Sequence, residues 1–281
     1  MIIIRTIPEL KEAIGKVRSM GRTIGFVPTM GYLHQGHLSL VKAAVKECDF
    51  VAVSIYVNPI QFGVGEDFES YPRDLTADAQ MCQQEGVDLI FSPGDQDMYP
   101  GGYASFVEVE QLTQGLCGRG RPGHFRGVTT VVTKLFNLLE PDIAYFGQKD
   151  AQQALVLKKM VEDLNMNLTL KIMPTLRDED GLAMSSRNVY LSLEEREAAL
   201  VLFKSLTRAE EMIQGGVRKA SKISGAMKEI IAGEPSAHLE YIEIVDTHKL
   251  DTMEELEAEV LIALAVRVGQ TRLIDNMIVE V

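Results

Sequence analysis

A chain of 281 residues is long enough for one large domain, or for a nucleotide-binding domain with a smaller partner, and either can bury a sizeable core. Hydrophobic residues at 46% and charged residues at 24%, without a Pro, Ser or Gln tract, argue against a long disordered tail. The 28 basic against 40 acidic residues give a formal charge of -12, which repels nucleic acid and anionic membranes, so a phosphate-bearing ligand needs a local positive pocket.

In chain order, Met1-Ile2-Ile3-Ile4 before Arg5 is too short for a signal-peptide core, and no apolar run approaches the roughly 20 residues that span a bilayer. The expectation is a cytoplasmic protein with neither a membrane nor a nucleic-acid partner. Thr23 to Val27 reads as a strand, and Leu38, Val41, Ala44 and Val45 recur at the spacing of one helical face, so a helix starts at about Gly36. Phe50 to Val57, nearly continuous in apolar residues, predicts a doubly covered parallel strand. Further strands fit Val87 to Phe91, Ile143 to Phe146 and Leu168 to Met173, with helices at Val128 to Leu139 and Ala151 to Leu164. This alternation implies an α/β chain with a Rossmann-like open parallel sheet over residues 1–175. Past Pro174 a charged loop, Arg177 to Gly181, leads to Ser192, an N-cap with Glu195 three residues on. Residues 176–281 then read as a smaller α+β lid domain, with a helix at Leu193 to Ile213 and strands at Leu239 to Val245, Val260 to Val268 and Leu273 to Val281. Cys48, Cys82 and Cys117 lack metal-type spacing and read as reduced and structural.

Four turns carry chemistry. The first strand enters Pro28-Thr29-Met30-Gly31-Tyr32-Leu33-His34-Gln35-Gly36-His37, placing two of the five histidines at a helix N-terminus, where free N–H groups and the dipole favour an anion. Imidazole N–H donors there can neutralise a transferring phosphoryl group, while the plainer reading is a helix cap with two surface histidines. Asn58-Pro59-Ile60-Gln61-Phe62-Gly63 follows a strand end, and its two amides suit a small polyol acid or form an ordinary Asn-Pro turn. Tyr145-Phe146-Gly147-Gln148-Lys149-Asp150 offers a lysine point charge, an Asp150 that is either an N-cap or a nucleotide contact, and then Gln152 and Gln153. Leu182-Ala183-Met184-Ser185-Ser186-Arg187-Asn188 supplies two hydroxyls and a guanidinium able to close over a triphosphate. From Gln111 to Leu139 there is no acid, but there are Arg119, Arg121, His124, Arg126 and Lys134; Cys117 to Gly127 reads as a flexible basic loop beside an anion, or a plain turn or subunit contact. Neither Gly-x-Gly-x-x-Gly nor a Walker loop follows a strand, which weakens dehydrogenase and P-loop readings.

The His34-Gln35-Gly36-His37 run is similar to the His-x-Gly-His signature of the nucleotidylyltransferase superfamily, which includes the class I aminoacyl-tRNA synthetases. Residues 182–188 resemble that superfamily's Lys-Met-Ser-Lys-Ser loop, except that Ala183 stands at the leading lysine, leaving Lys149 and Arg187 as the expected cations. Taken in order, Phe26 to His37, Tyr56 to Phe62, Tyr71-Pro72-Arg73-Asp74, Gly118 to Thr130, Tyr145 to Gln153 and Gly181 to Asn188 closely resemble the pantothenate synthetase (pantoate–β-alanine ligase) family over nearly the whole chain.

That resemblance implies ligation of (R)-pantoate to β-alanine, with ATP cleaved to AMP and pyrophosphate through a pantoyl-adenylate, in a magnesium-using homodimer. It implies catalytic roles for His34, His37, Lys149 and Arg187. It maps ATP contacts to Met30, Gly31, Tyr32, Leu33, His34, Gln35, Gly36 and His37, to Gly147, Gln148, Lys149 and Asp150, and to Leu176, Met184, Ser185, Ser186 and Arg187. Pantoate falls to Gln61, Gln153 and Asn58, and β-alanine to Gln61. The reading expects the turns bearing His37, Gln61, Lys149 and Arg187 to meet around one cleft. A cytidylyl- or adenylyltransferase on the same scaffold, a tRNA synthetase and a non-catalytic nucleotide sensor are the competing readings. The acidic charge and short remainder after Arg187 tell against the RNA enzyme.

Overall fold

Ile2–Ile4 (β1), Ile24–Thr29 (β2), Phe50–Ile55 (β3), Leu89–Phe91 (β4), Ile143–Gly147 (β5) and Thr169–Met173 (β6) pair in one parallel sheet in the computed structural model, which describes all 281 residues. The strand order is β1-β4-β3-β2-β5-β6, so the chain builds outward from β2 through β3 and β4 and returns to add β5 and β6 on the other side. The order therefore reverses between β2 and β5, where an open α/β sheet offers its ligand crevice beyond the carboxyl ends of the strands. All six residues of β3 are buried, as in a parallel strand covered on both faces.

The helices between strands are Ile7–Ser19 (α1), Gln35–Glu47 (α2), Leu75–Gln84 (α3), Asp95–Met98 (α4), Leu116–Gly120 (α5), His124–Leu139 (α6) and Ala151–Asp163 (α7). Two more, Leu193–Gln214 (α8) and Ala220–Ala232 (α9), precede an antiparallel sheet of Ala237–Asp246 (β7), Glu259–Val268 (β8) and Thr271–Glu280 (β9) in the order β7-β8-β9.

Contacts group the chain into two compact units. The first comprises 1–110, 121–147 and 156–174, and the second 111–120, 148–155 and 175–281. In the first, Val27, Val51, Val53 and Ile90 of the sheet pack with Leu40, Val41 and Ala44 of α2. In the second, Leu202, Leu206, Ile223, Met227 and Ile231 bury one face of α8 and α9 with Ile262, Leu264 and Val266 of β8. The expected cap at Ser192 is present: its Oγ accepts from Glu195 N–H at 3.1 Å, and Glu195 accepts from Ser192 N–H at 2.9 Å.

Several elements escaped the sequence reading. β1 is only three residues long and exists through its pairing with β4. α1 buries Leu10, Ile14 and Val17, and α9 buries Ile223, Met227 and Ile231, both at helical spacing. α6 starts four residues before the expected Val128, behind Gly123 in the left-handed conformation (φ 80°). The segment read as a flexible basic loop is instead α5 and the first turn of α6. The three cysteines are free thiols, as expected, and burial pushes that of Cys82 up to about 12.

Candidate active site

The turn after β2 is shaped by two consecutive left-handed residues, Gly31 (φ 85°) and Tyr32 (φ 52°). Gly31 suits that conformation, and the space confirms the requirement: a Cβ there would meet Ile55 Cγ2 at 2.9 Å and Asp78 Oδ2 at 3.0 Å. Asp78, 1% exposed on α3, accepts from Tyr32 N–H at 2.9 Å and Leu33 N–H at 2.7 Å. Burial raises its carboxyl pKa against the opposing pull of those two N–H groups. Leu33 turns its side chain into the core, so any nucleotide contact there falls to its main chain.

His34 is the N-cap of α2. Its Nδ1 accepts from Gly36 N–H at 3.1 Å, while Nδ1 of His37 accepts from His34 N–H at 3.3 Å, and the two rings lie 4.0 Å apart. The capping reading is therefore true, and the cap leaves the Nε2 edge of each ring out of it. With both Nδ1 atoms accepting, the neutral rings carry their proton on Nε2. The turn thus orients two imidazole N–H donors at a helix start whose dipole already attracts negative charge.

After β3, Pro59–Gln61 forms a single 3-10 turn. Asn58, 1% exposed, fixes the polarity of Gln61. Asn58 Nδ2 donates to the Gly127 carbonyl at 3.1 Å, an atom that can only accept, so the Asn58 amide has one permitted orientation. Its second N–H then reaches Gln61 Oε1 at 3.0 Å, and its Oδ1 receives the Tyr99 hydroxyl at 2.7 Å. Gln61 is left with its NH2 group as the directed end, 3.3 Å from Met30 Sδ. Its main chain is held too: His124 Nδ1 contacts Gln61 O at 2.8 Å, and Arg121 Nη1 lies 3.0 Å from His124 Nε2. Behind the turn, a Cβ on Gly127 would lie 2.6 Å from Ile60 O and 2.6 Å from Gln61 Cα, so α6 approaches this backbone as only glycine allows.

Two of the window's arginines are paired with acids, while Arg126 lies over the Phe106 ring. Arg121 makes a two-pronged pair with Glu66 at 2.7 and 2.6 Å, and Arg119 reaches Glu243 at 2.8 Å. Burial works to raise the Glu66 pKa, but Arg121's hydrogen bonds and charge prevail and hold the carboxyl below the usual range.

In the second unit, β5's continuation Gln148–Asp150 is a 3-10 turn leading into α7, whose first turn carries Gln152 and Gln153. Lys149 Nζ lies 3.9 Å from Asp150 Oδ1. Gln152 is structural: its Nε2 donates to the carbonyls of Leu112 and Gly115, and its Oε1 accepts from Cys117 N–H. Residues 176–184 form a small hairpin in which Met184 N–H donates to Leu176 O at 3.0 Å. It leads to Ser185, whose Oγ accepts from Arg187 N–H at 3.3 Å, capping the 3-10 turn Ser186–Tyr190. Arg177 forks onto Asp275 at 2.6 and 2.9 Å, and Arg196 reaches Asp178 at 2.8 Å. Asp78, Tyr99, Asp275 and Asn276 were not singled out from the sequence. The one signal available for the acids and Asn276 is a polar residue on an otherwise apolar helix or strand face.

A reversed parallel sheet with a paired-imidazole turn on a helix N-terminus defines a nucleotide-binding α/β enzyme. The pantoate-beta-alanine ligase family model matches residues 2–278, and the chain belongs to that family. A pantothenate synthetase of Heliobacterium modesticaldum is 56% identical over 281 residues, covering 100% of both chains. The crystal structure of pantothenate synthetase from Thermus thermophilus matches with a TM-score of 0.94 at 45% identity, covering 99% of each chain. The pantoate-beta-alanine ligase from Francisella tularensis, complexed with beta-gamma ATP and beta-alanine, matches with a TM-score of 0.82 at 34% identity, covering 99% of this chain and 97% of that one.

Proposed function

We infer that this chain joins (R)-pantoate to β-alanine with cleavage of ATP, releasing AMP and pyrophosphate through a pantoyl-adenylate. The observation that carries the reading is the family match over residues 2–278, within which the paired-imidazole turn supplies the chemistry. The Francisella relative's complex supports ATP and β-alanine as ligands.

In the first step a pantoate carboxylate oxygen attacks the α-phosphorus and the bond to the bridging oxygen of the β-phosphate breaks. A carboxylate with a pKa near ~4 is already ionised, so this step needs alignment and charge stabilisation, not a strong base. His34 and His37 donate Nε2–H to the phosphoryl oxygens, and Lys149 and Arg187 offset charge on the departing pyrophosphate. Met30 through His37, Gly147 through Asp150, Leu176, Met184, Ser185 and Ser186 complete the ATP contacts. Gln61 and Gln153 hold pantoate, with Asn58 behind Gln61, and Gln61 also meets β-alanine.

In the second step the amine of β-alanine attacks the acyl carbon, AMP leaves with the carboxyl oxygen, and the nitrogen gives up a proton. An amine with a pKa of roughly 10 arrives mostly protonated, so deprotonation precedes attack; solvent receives that proton, because His37 Nδ1 already accepts from the His34 N–H and its Nε2 already carries a proton. The 176–281 segment acting as a lid against water belongs to the same proposal, as do a homodimer and a cytoplasmic location. No helix is long and apolar enough to cross a membrane.

Magnesium fits the donor set. There is no cluster of three or more His, Cys, Asp or Glu able to hold an ion, but Mg²⁺ typically rides on nucleotide phosphates with one or two carboxylates, and the exposed Asp150 is the carboxylate in the lysine-bearing turn. When bound, the ion would offset phosphate charge.

The test is exchange of labelled pyrophosphate into ATP. It should depend on pantoate and not on β-alanine; an absence of exchange, as a nucleotidyltransferase or a sensor predicts, would remove the adenylate from the reaction.

A further inference from the structure

In the middle of β9 two adjacent polar side chains, Asp275 and Asn276, are 3% and 4% exposed. Nothing in the reaction above uses them. A strand that sends Leu273 and Val279 into the core would fill these positions at lower cost with apolar groups, because buried polar atoms must recover their lost hydration from partners. The partners here are specific.

Asn276 Nδ2 donates to the main-chain carbonyls of Gln148 and Lys149, both at 2.9 Å. Its Oδ1 lies 3.5 Å from Gln148 Nε2. Both amide N–H groups are thus committed to consecutive peptides. Each peptide is a rigid plane, so turning two successive carbonyls toward one donor fixes both planes and the direction in which the Lys149 side chain leaves the chain.

Asp275 holds the other segment. It takes Arg177 in the two-pronged pair already described, and Arg177 also donates to Gly181 O at 3.1 Å across the hairpin 176–184. That hairpin ends at Met184, directly ahead of Ser185, Ser186 and Arg187. Asp275 Oδ1 accepts from Asn276 N–H at 2.8 Å, joining the two devices at one point of the strand.

We propose that Asp275 and Asn276 are positioning residues for ATP: one strand locks the lysine-bearing turn with an amide and the serine–arginine segment with a carboxylate, so that both phosphate-binding groups are set by a single element. This rests on the assignment of Lys149 and Arg187 to ATP.

The experiment compares Asn276→Ala, Asn276→Asp and Lys149→Ala in the full chain, by pantoate-dependent pyrophosphate exchange and by thermal unfolding. Asn276→Ala should raise the KM for ATP about tenfold, as expected for losing bonds worth roughly one power of ten in affinity, with the KM for pantoate within about twofold of wild type. Asn276→Asp keeps the size but sets a carboxylate against two carbonyls, so its ATP defect should exceed that of the alanine variant. An unchanged ATP KM in both variants overturns the proposal. So does a uniform loss of rate that follows the folded fraction, which marks a purely structural role. If Lys149→Ala itself keeps wild-type ATP kinetics, the underlying ATP assignment fails instead, whatever the Asn276 variants do.

Discussion

The turn after β2 and the two segments braced by β9 are all assigned to ATP by the proposal above, yet they are organised by different means. The histidine turn is mostly local: His34 and His37 cap their own helix, each ring held by a main-chain N–H within three residues. The lysine turn and the hairpin before Ser185 are fixed from far along the chain, by residues about a hundred or more positions away. Local organisation leaves a motif in the sequence, whereas distant organisation leaves a buried polar residue whose purpose appears only in three dimensions. Asp78 is the exception that joins the two, since 46 residues separate it from the Tyr32 N–H it accepts.

Substitutions can break this contrast. The largest effect is expected for His37→Ala, which removes one of two oriented donors and should slow adenylate formation on the order of 10²–10³-fold. It also removes one half of the cap, so stability should fall by only about 0.5–1 kcal/mol. Pyrophosphate exchange alongside a denaturation curve separates the two, and a parallel fall of rate and midpoint would favour a structural role.

Asp78→Ala should act in the opposite proportion. It leaves the N–H groups of Tyr32 and Leu33 without their buried acceptor, at about 1–3 kcal/mol each, and urea denaturation should show a loss of about 2–6 kcal/mol. Unchanged stability would mean that the left-handed pair holds without it.

A smaller effect is expected for Tyr99→Phe. Asn58 keeps its orientation, because the Gly127 carbonyl still demands a donor, but Oδ1 loses its partner. The KM for pantoate should rise about three- to tenfold, as for one lost hydrogen bond, with that for ATP unaltered. Equal rises in both would detach Tyr99 from the acid site.

The smallest is a pH effect. The folded pKa of Glu66 lies below its ordinary 4.5, so its pairing with Arg121 contributes stability that is complete above that value and is lost as pH falls through the folded pKa. Glu66→Gln should therefore lower the unfolding midpoint slightly at pH 7, and the difference from wild type should fade once the pH falls through the lowered folded pKa of Glu66. A gap that widens in acid would reverse the sign and refute the pairing as its source.

The sheet was legible because Phe50 to Ile55 and its parallel neighbours are apolar runs punctuated by turns, and the histidine turn because four adjacent residues carry its chemistry. The acid-free window was read from charge alone. Two of its three arginines, Arg121 and Arg119, find Glu66 and Glu243, acids 55 and 124 residues away, and sequence distance hides such neutralisation. Tyr99 and Asn276 were illegible for the same reason: a phenol after a short helix and an amide in a strand are ordinary until their partners are known.

At Gly127 two main chains touch, with no side chain between them to yield. Gln61, the glutamine proposed to hold the acid, consequently rests against a hard wall. If Gln61 holds the acid as proposed, an acid bulkier than pantoate that presses on it finds no slack behind it, so discrimination by size would be written into the backbone, and trimming nearby side chains would not relax it.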